Sequence, residues 1–309
     1  MKFTVIERFV PSSDGIHNIH GELYIPIGTP KATIQIIHGI SEYSGLYDEF
    51  MKFLAENGFV VFVHDHLGHG KTAAGSNELG FIAEKNGDRF LVDDSYNFAQ
   101  ELLESYKGIK HILFGHSMGS FIARICSEKF PDMSDLLILE GTGGSQPLAP
   151  IGLALTELGG ILNGPSHRAK IPQKLFVGKC NHSFKVEHSD YSWVSRDTEY
   201  TDSVGVDNYR NFTFTISGMY DLVKLSTECN SEEWFENFRK DLPTLIISGE
   251  KDPIGNNGKG VFEVFKKLED GGAGDLSFKL YRDCRHELLN ELNKDEVMTD
   301  ILHWMENRI

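Results

Sequence analysis

Six short apolar runs punctuate the chain, at 33–37 (TIQII), 59–63 (FVVFV), 111–114 (HILF), 136–139 (LLIL), 244–247 (TLII) and 276–281 (LSFKLY). Several are continuous rather than alternating, the pattern of parallel strands covered by helices on both faces. Between the first two runs Leu46, Tyr47, Phe50, Met51 and Leu54 recur with a helical period, and Asn57-Gly58 supplies a stop. After the third run Met118, Phe121, Ile122, Ile125 and Cys126 repeat that period up to Pro131, and Val297, Ile301, Trp304 and Met305 form a last apolar stripe. Strand alternating with helix predicts a doubly wound, mostly parallel α/β sheet. Residues 3–10 and 20–25, joined at Asp14-Gly15, predict an antiparallel hairpin added at one edge.

The rhythm breaks from 143 to 225, where Gly-rich turns and polar, aromatic-bearing sequence replace it. A structureless loop of that length is rare in a compact domain, so an inserted cap is expected over 144–225, interrupting a core made of 1–143 and 226–309. The total of 309 residues therefore divides into one interrupted core and not two sequential domains. Formal charge adds a constraint: −15 at pH 7 argues against nucleic acid and against a basic patch for anionic membranes. Contact with a membrane or micelle would run through apolar residues of the cap. The apolar stretch 147–162 carries Glu157 and falls short of the ~20 clean residues of a membrane span. Within it, Leu148–Leu162 is the expected wall of a substrate pocket. Cys126, Cys180, Cys229 and Cys284 form no C-x-x-C pair, and no apolar h-region precedes the first acid of the N-terminus. A soluble, cytoplasmic protein with reduced thiols is the expectation.

Chemistry concentrates at Gly115-His116-Ser117-Met118-Gly119, which follows an apolar strand and opens a helix. In that context G-x-S-x-G is a nucleophile elbow, a tight strained turn that exposes the serine hydroxyl. A serine needs an imidazole to take its proton, and the imidazole needs a carboxylate to fix its tautomer. Asp252 lies beyond the strand at 244–247, and His286 beyond the strand at 276–281, so Ser117, Asp252 and His286 stand in the chain order of this fold. Glu140 also ends a strand and competes for the acid role, while His116, Glu250 and Glu287 read as supporting or solvated neighbours. The backbone N–H groups of Met118 and Ile40, the latter in His38-Gly39-Ile40-Ser41, are the expected oxyanion donors. His64, His66 and His69 suggest a metal, yet their spacing gives no shared helical face and no further ligands lie near. Gly70-Lys71-Thr72 imitates a P-loop ending, but the glycine required five positions earlier is Asp65. No metal and no cofactor are expected.

These residues resemble the monoacylglycerol lipase and lysophospholipase-like branch of the serine α/β-hydrolases, within the serine aminopeptidase-type hydrolases. Residues 38–47 are similar to the branch's oxyanion loop, and 65–72 to its D-H-x-G-H-G-x-S segment with Thr72 in the last place. Residues 115–119 match its G-H-S-M-G elbow. Trp193-Val194-Ser195-Arg196-Asp197 resembles W-L-S-R-D, and 285–291 resembles R-H-E-x-x-N-E. Ile40 is bulkier than the small residue often found there. The resemblance implies an α/β-hydrolase fold and cofactor-free cleavage of a monoacyl ester through an acyl-serine. It assigns Ser117 as nucleophile, His286 as base and acid, Asp252 as orienter, and Ile40 and Met118 as oxyanion donors. Alternatives are an aryl or feruloyl-type esterase, or an aminopeptidase using Glu157, Glu187, Asp190 or Glu199 to hold an amine. More remote is a non-catalytic binding scaffold. Epoxide hydrolase and dehalogenase chemistry need Asp where Ser117 stands.

Overall fold

A central sheet follows directly from the apolar runs. The computed structural model describes residues 2–184 and 189–309. Its first half runs β1 (Phe3–Pro11), β2 (Asn18–Pro26), β3 (Ala32–Ile37), α1 (Asp48–Glu56), β4 (Phe59–His64), α2 (Gly87–Leu103), β5 (His111–His116), α3 (Met118–Lys129) and β6 (Leu136–Glu140). An all-helical excursion follows: α4 (Ala149–Asn163), α5 (Lys170–Cys180), α6 (Thr198–Val206), α7 (Ile216–Glu228) and α8 (Glu232–Asn237). The chain then returns through β7 (Thr244–Gly249), α9 (Lys259–Asp270), β8 (Leu276–Tyr281) and α10 (Lys294–Glu306).

The strands order as β1-β2-β4-β3-β5-β6-β7-β8. β1 and β2 form the expected antiparallel hairpin at one edge, and the pairings from β4 to β8 are all parallel. Every residue of β3 to β7 is buried, which explains why these strands read as continuous apolar runs. Successive side chains feed opposite layers. Ile34, Ile36, Ile112 and Phe114 pack with Phe50 and Met51 of α1 and Ile301 and Met305 of α10. Ile37 and Leu113 pack with Phe98 of α2, Ile122 of α3 and Val264 of α9. The fold is that of an α/β-hydrolase.

Two helices go beyond those that periodicity singles out. α9 buries Gly260, Val261, Val264 and Leu268 on one narrow face, and α2 mixes Asp88, Asp94 and Ser95 into its buried side. In the excursion α4 buries no residue at all, leaving Leu155, Leu158, Ile161 and Leu162 exposed. α4 packs along α7, which in turn lies on α2 and α3 and carries position 225 within its length. Among the described residues no helix is long and apolar enough to cross a membrane.

Candidate active site

The turn from β5 into α3 places Ser117 at φ 52° and ψ −120°. A left-handed φ at a non-glycine residue costs on the order of 1–3 kcal/mol and persists only where its surroundings enforce it. Here the Ser117 N–H donates to the Glu140 carbonyl oxygen at 3.0 Å, tying the turn to β6. The flanking glycines are obligatory. A Cβ on Gly119 would run into the Ile37 carbonyl, and one on Gly115 into the Gly119 carbonyl.

Ser117, Asp252 and His286 come together from three separate loops. Ser117 Oγ lies 2.8 Å from His286 Nε2, within the reach of proton transfer. On the other side of the ring, His286 Nδ1 stands 3.0 Å from Asp252 Oδ1. Asp252 is fixed in its turn by the Ile254 N–H at 2.8 Å and by the Ser248 hydroxyl at 3.1 Å. All three residues are buried, Ser117 with only 6% of its surface exposed. Glu140 is placed differently. Its carboxylate accepts the Leu288 N–H at 2.8 Å and sits 3.6 Å from His116 Nδ1, bracing the backbone beyond His286. Burial pushes its pKa up to about 7.

The loop 38–41 is braced by Glu42, a residue to which the sequence motifs assign no role. Glu42 accepts the Gly39 N–H at 2.6 Å and the Tyr47 hydroxyl at 2.7 Å, and lies 3.2 Å from His116 Nε2. Burial opposes charge on His116, yet Glu42 and Glu140 on either side raise its pKa to about 10. The imidazolium so formed holds the Glu42 carboxyl well below its usual range against the cost of burial. Met118 is the first residue of α3, so its N–H has no acceptor within the helix. Ile40 lies between the anchored Gly39 and Ser41, which sits at φ 57°.

His64, His66 and His69 are buried behind this loop and face different partners: the Ser95 hydroxyl, the His38 carbonyl and the Leu67 carbonyl respectively. Burial keeps them neutral, with His64 and His69 lowered to about 3. Among the described residues one triple of potential ligand atoms converges, Glu7, His20 and Glu22, and Lys71 Nζ already sits 2.5 Å from Glu7.

A cavity of about 670 Å³, part of it open to solvent, adjoins Ser117 and His286. Ile40, Phe176, Val177, Trp193, Phe214 and Met219 supply its apolar wall, and Trp193 packs its ring 5.1 Å from that of His286. The segment 148–162 does not take the place expected of it. α4 lies outside this lining, packed along α7, and α5 provides the helical wall instead. Glu157, Asp190 and Glu199 are likewise absent from the lining, and Glu187 lies outside the described residues.

Two stretches that read as separate motifs dock onto one another. Val194 O accepts the Glu287 N–H at 2.8 Å, the Ser195 hydroxyl donates to Asn290 O at 2.7 Å, and Arg196 Nε donates to Glu291 at 2.8 Å. Arg285 donates back to the carbonyls of Ser192 and Ser195. The loop carrying His286 is therefore clamped by the excursion.

The family described as Serine aminopeptidase, S33 matches residues 28–293. The monoglyceride lipase homolog of Monkeypox virus is 25% identical over 306 residues, covering 94% of this chain and 95% of its own. The monoglyceride lipase of Rattus norvegicus is 26% identical over 295 residues, covering 92% and 85%. A highly thermostable carboxyl esterase from Bacillus coagulans, solved in complex with glycerol, superposes with a TM-score of 0.91 at 29% identity, covering 99% of each chain.

Proposed function

The chain belongs to the serine aminopeptidase family, and we propose that the substrate of this serine ester hydrolase is a monoacylglycerol or a similar monoacyl ester. The observation that carries this reading is a Ser117–His286–Asp252 relay opening onto an apolar cavity. The names of the full-length relatives support the same substrate class.

In the proposed mechanism Ser117 Oγ attacks the ester carbonyl carbon while His286 Nε2 takes its proton. Asp252 holds the ring by its Nδ1–H and stabilises the imidazolium. The carbonyl π pair moves to oxygen, and the backbone N–H groups of Ile40 and Met118 receive that oxyanion. Collapse of the tetrahedral intermediate breaks the C–O bond, and His286 returns its proton to the departing alcohol. Water then attacks the acyl-serine with His286 again as base, releasing the fatty acid and restoring Ser117. These residues and water balance every step.

We further infer that residues 144–225 act as a cap, with the exposed leucines and isoleucines of α4 as the face that meets micelle or membrane. With a net charge of −15 such contact would be apolar rather than electrostatic. The four cysteines are free and buried, in keeping with a reducing cytoplasm. The aminopeptidase alternative is disfavoured, because the lining carboxylates are already committed. Glu42 is bonded to Gly39 and Tyr47, and Glu287 to Arg210 and Tyr200, leaving neither to hold an ammonium group.

The deciding experiment offers the purified protein a monoacylglycerol, an aryl ester and an amino-acid arylamide in parallel, with fluorophosphonate labelling alongside. Monoacylglycerol turnover and labelling at Ser117 are expected. Arylamide turnover alone would overturn the substrate, and an unlabelled Ser117 would overturn the mechanism.

A further inference from the structure

Arg210 lies in the turn between α6 and α7, outside every motif, yet its guanidinium is buried and lines the cavity beside Ser117 and His286. Its five donors are largely spoken for. Nε donates to the Ser41 carbonyl at 3.2 Å, Nη1 to the Tyr200 hydroxyl at 2.6 Å, and Nη2 to Glu287 at 2.5 Å. Ser41 directly follows Ile40, and Glu287 directly follows His286. One side chain from the excursion thus grips both the oxyanion loop and the loop of the base. Glu42 anchors Gly39 on one side of Ile40, and Arg210 anchors Ser41 on the other.

Charge gives the contact a second role. His286 meets Asp252 at 3.0 Å, the Trp193 ring at 5.1 Å and the His116 ring at 4.8 Å, with Glu140 beyond His116, and Glu287, the next residue in sequence, lines the same cavity. Glu287 itself faces Arg210, Tyr200 and Asn290, with Glu42 and Tyr47 beyond them. His116 sits between Glu42 and Glu140 and also feels Glu287, and Glu42 in turn feels both His116 and Arg210. Arg210 makes the direct ion pair with Glu287. A buried ion pair is weak evidence for stability, since apolar residues of similar volume often replace one without loss. The connectivity of this pair points to a task beyond stability.

We propose that Arg210 is a positioning residue for ester hydrolysis, holding the Ile40 donor in place and neutralising Glu287 so that its charge does not act on His286. This rests on the serine hydrolase mechanism above. An unbalanced carboxylate beside an imidazole favours the protonated ring, which cannot accept the Ser117 proton.

The test follows the rate of fluorophosphonate labelling of Ser117, and of soluble aryl-ester turnover, against pH. The proteins compared are the parent, Arg210→Lys, Arg210→Met, Glu287→Gln and the double variant R210M/E287Q, each checked for its thermal midpoint. Arg210→Met is expected to slow both reactions about 10- to 100-fold and to move the acidic limb up by roughly one pH unit. In R210M/E287Q the limb returns to the parent position while the rate stays low, because Ser41 remains unanchored. Arg210→Lys keeps the limb and loses rate alone, so the proposal stays testable even if Arg210→Met fails to fold. A limb that stays put in Arg210→Met, or that stays displaced in the double variant, would overturn the role in charge. A parent-like rate in Arg210→Lys would overturn the role in positioning. A parent protein that takes no label would instead defeat the serine mechanism itself.

Discussion

The loops around Ser117 and the helix α4 follow opposite rules. Around Ser117 almost every polar group is buried, and the groups that meet come from far apart in sequence: His286 is 169 residues from Ser117, and Arg210 is 77 from Glu287. α4 is continuous, apolar and unburied, with Ile161 76% and Leu162 72% exposed. Stacking apolar side chains on a surface lowers stability and solubility unless something covers them. The difference separates two requirements. Bond-making chemistry needs a few groups held to fractions of an ångström, and the micelle or membrane contact proposed for α4 would need only an apolar face of adequate size.

The largest effect should come from the relay. Ser117→Ala is expected to lower kcat about 10⁴-fold or more, measured with any ester the parent cleaves, while the thermal midpoint stays near that of the parent. Asp252→Asn should approach that loss, because the amide leaves His286 in the wrong tautomer. A mild Asp252→Asn together with a severe Glu140→Gln would transfer the acid role to Glu140. On the other side of the comparison, the double variant L155E/L158E should lower turnover of micellar monoacylglycerol about 10-fold and leave a soluble short-chain ester untouched. Equal losses on both substrates would make α4 part of the pocket after all.

Two smaller effects concern pH and stability, read from thermal midpoints. Burial lowers His64, His69 and His111 to about 3, below the 6.5 of an open chain. The unfolded chain therefore takes up protons first as the pH falls through 6.5, and stability drops with it. Glu140 and Asp221, both raised to about 7, work in the opposite direction over the same range, so His111→Phe should make the change in midpoint from pH 7 to pH 5 less negative than in the parent, and an unchanged slope would contradict the burial of that ring. Burial pushes Asp221 the other way, up to about 7 from 3.8, with Asp88 adding to the shift. The folded chain holds a proton that the unfolded one has released, so this contribution is lost as the pH rises through 7. Asp221→Asn should raise the midpoint by a few degrees at pH 8 and much less at pH 5. An equal gain at both would point to packing rather than charge.

Much of the sheet was legible because β3 to β7 are buried on both faces, and burial leaves an unbroken apolar run. The elbow was legible because the turn at Ser117 admits only glycine at 115 and 119. Asp252 and His286 were legible by order, each on a loop beyond its strand. Glu42 and Arg210 carry no comparable signal. Their identities matter through partners contributed by distant loops, and no local period or spacing records that. α9 escaped for a simpler reason, since beside Gly260 its buried face holds just Val261, Val264 and Leu268, a thin stripe. The wall of the cavity was misjudged because an apolar stretch reveals that it avoids water and not which surface covers it. α4, with Glu157 as its one charge, is the more apolar of the two, yet α5, with three lysines, is the helix that lines the cavity.

The clamp between 192–196 and 285–291 should also set when a refolding chain can act. It joins positions about 95 residues apart and closes a loop through β7, α9 and β8. Contacts of such long range form late, because the entropy of closing the loop must be lost before any bond rewards it. A refolding chain should therefore recover its secondary structure before it recovers hydrolysis, the lag being the time taken to seat His286. Until that seating, Ser117 is an ordinary alcohol on an ordinary turn. A half-folded molecule cannot cleave the esters around it.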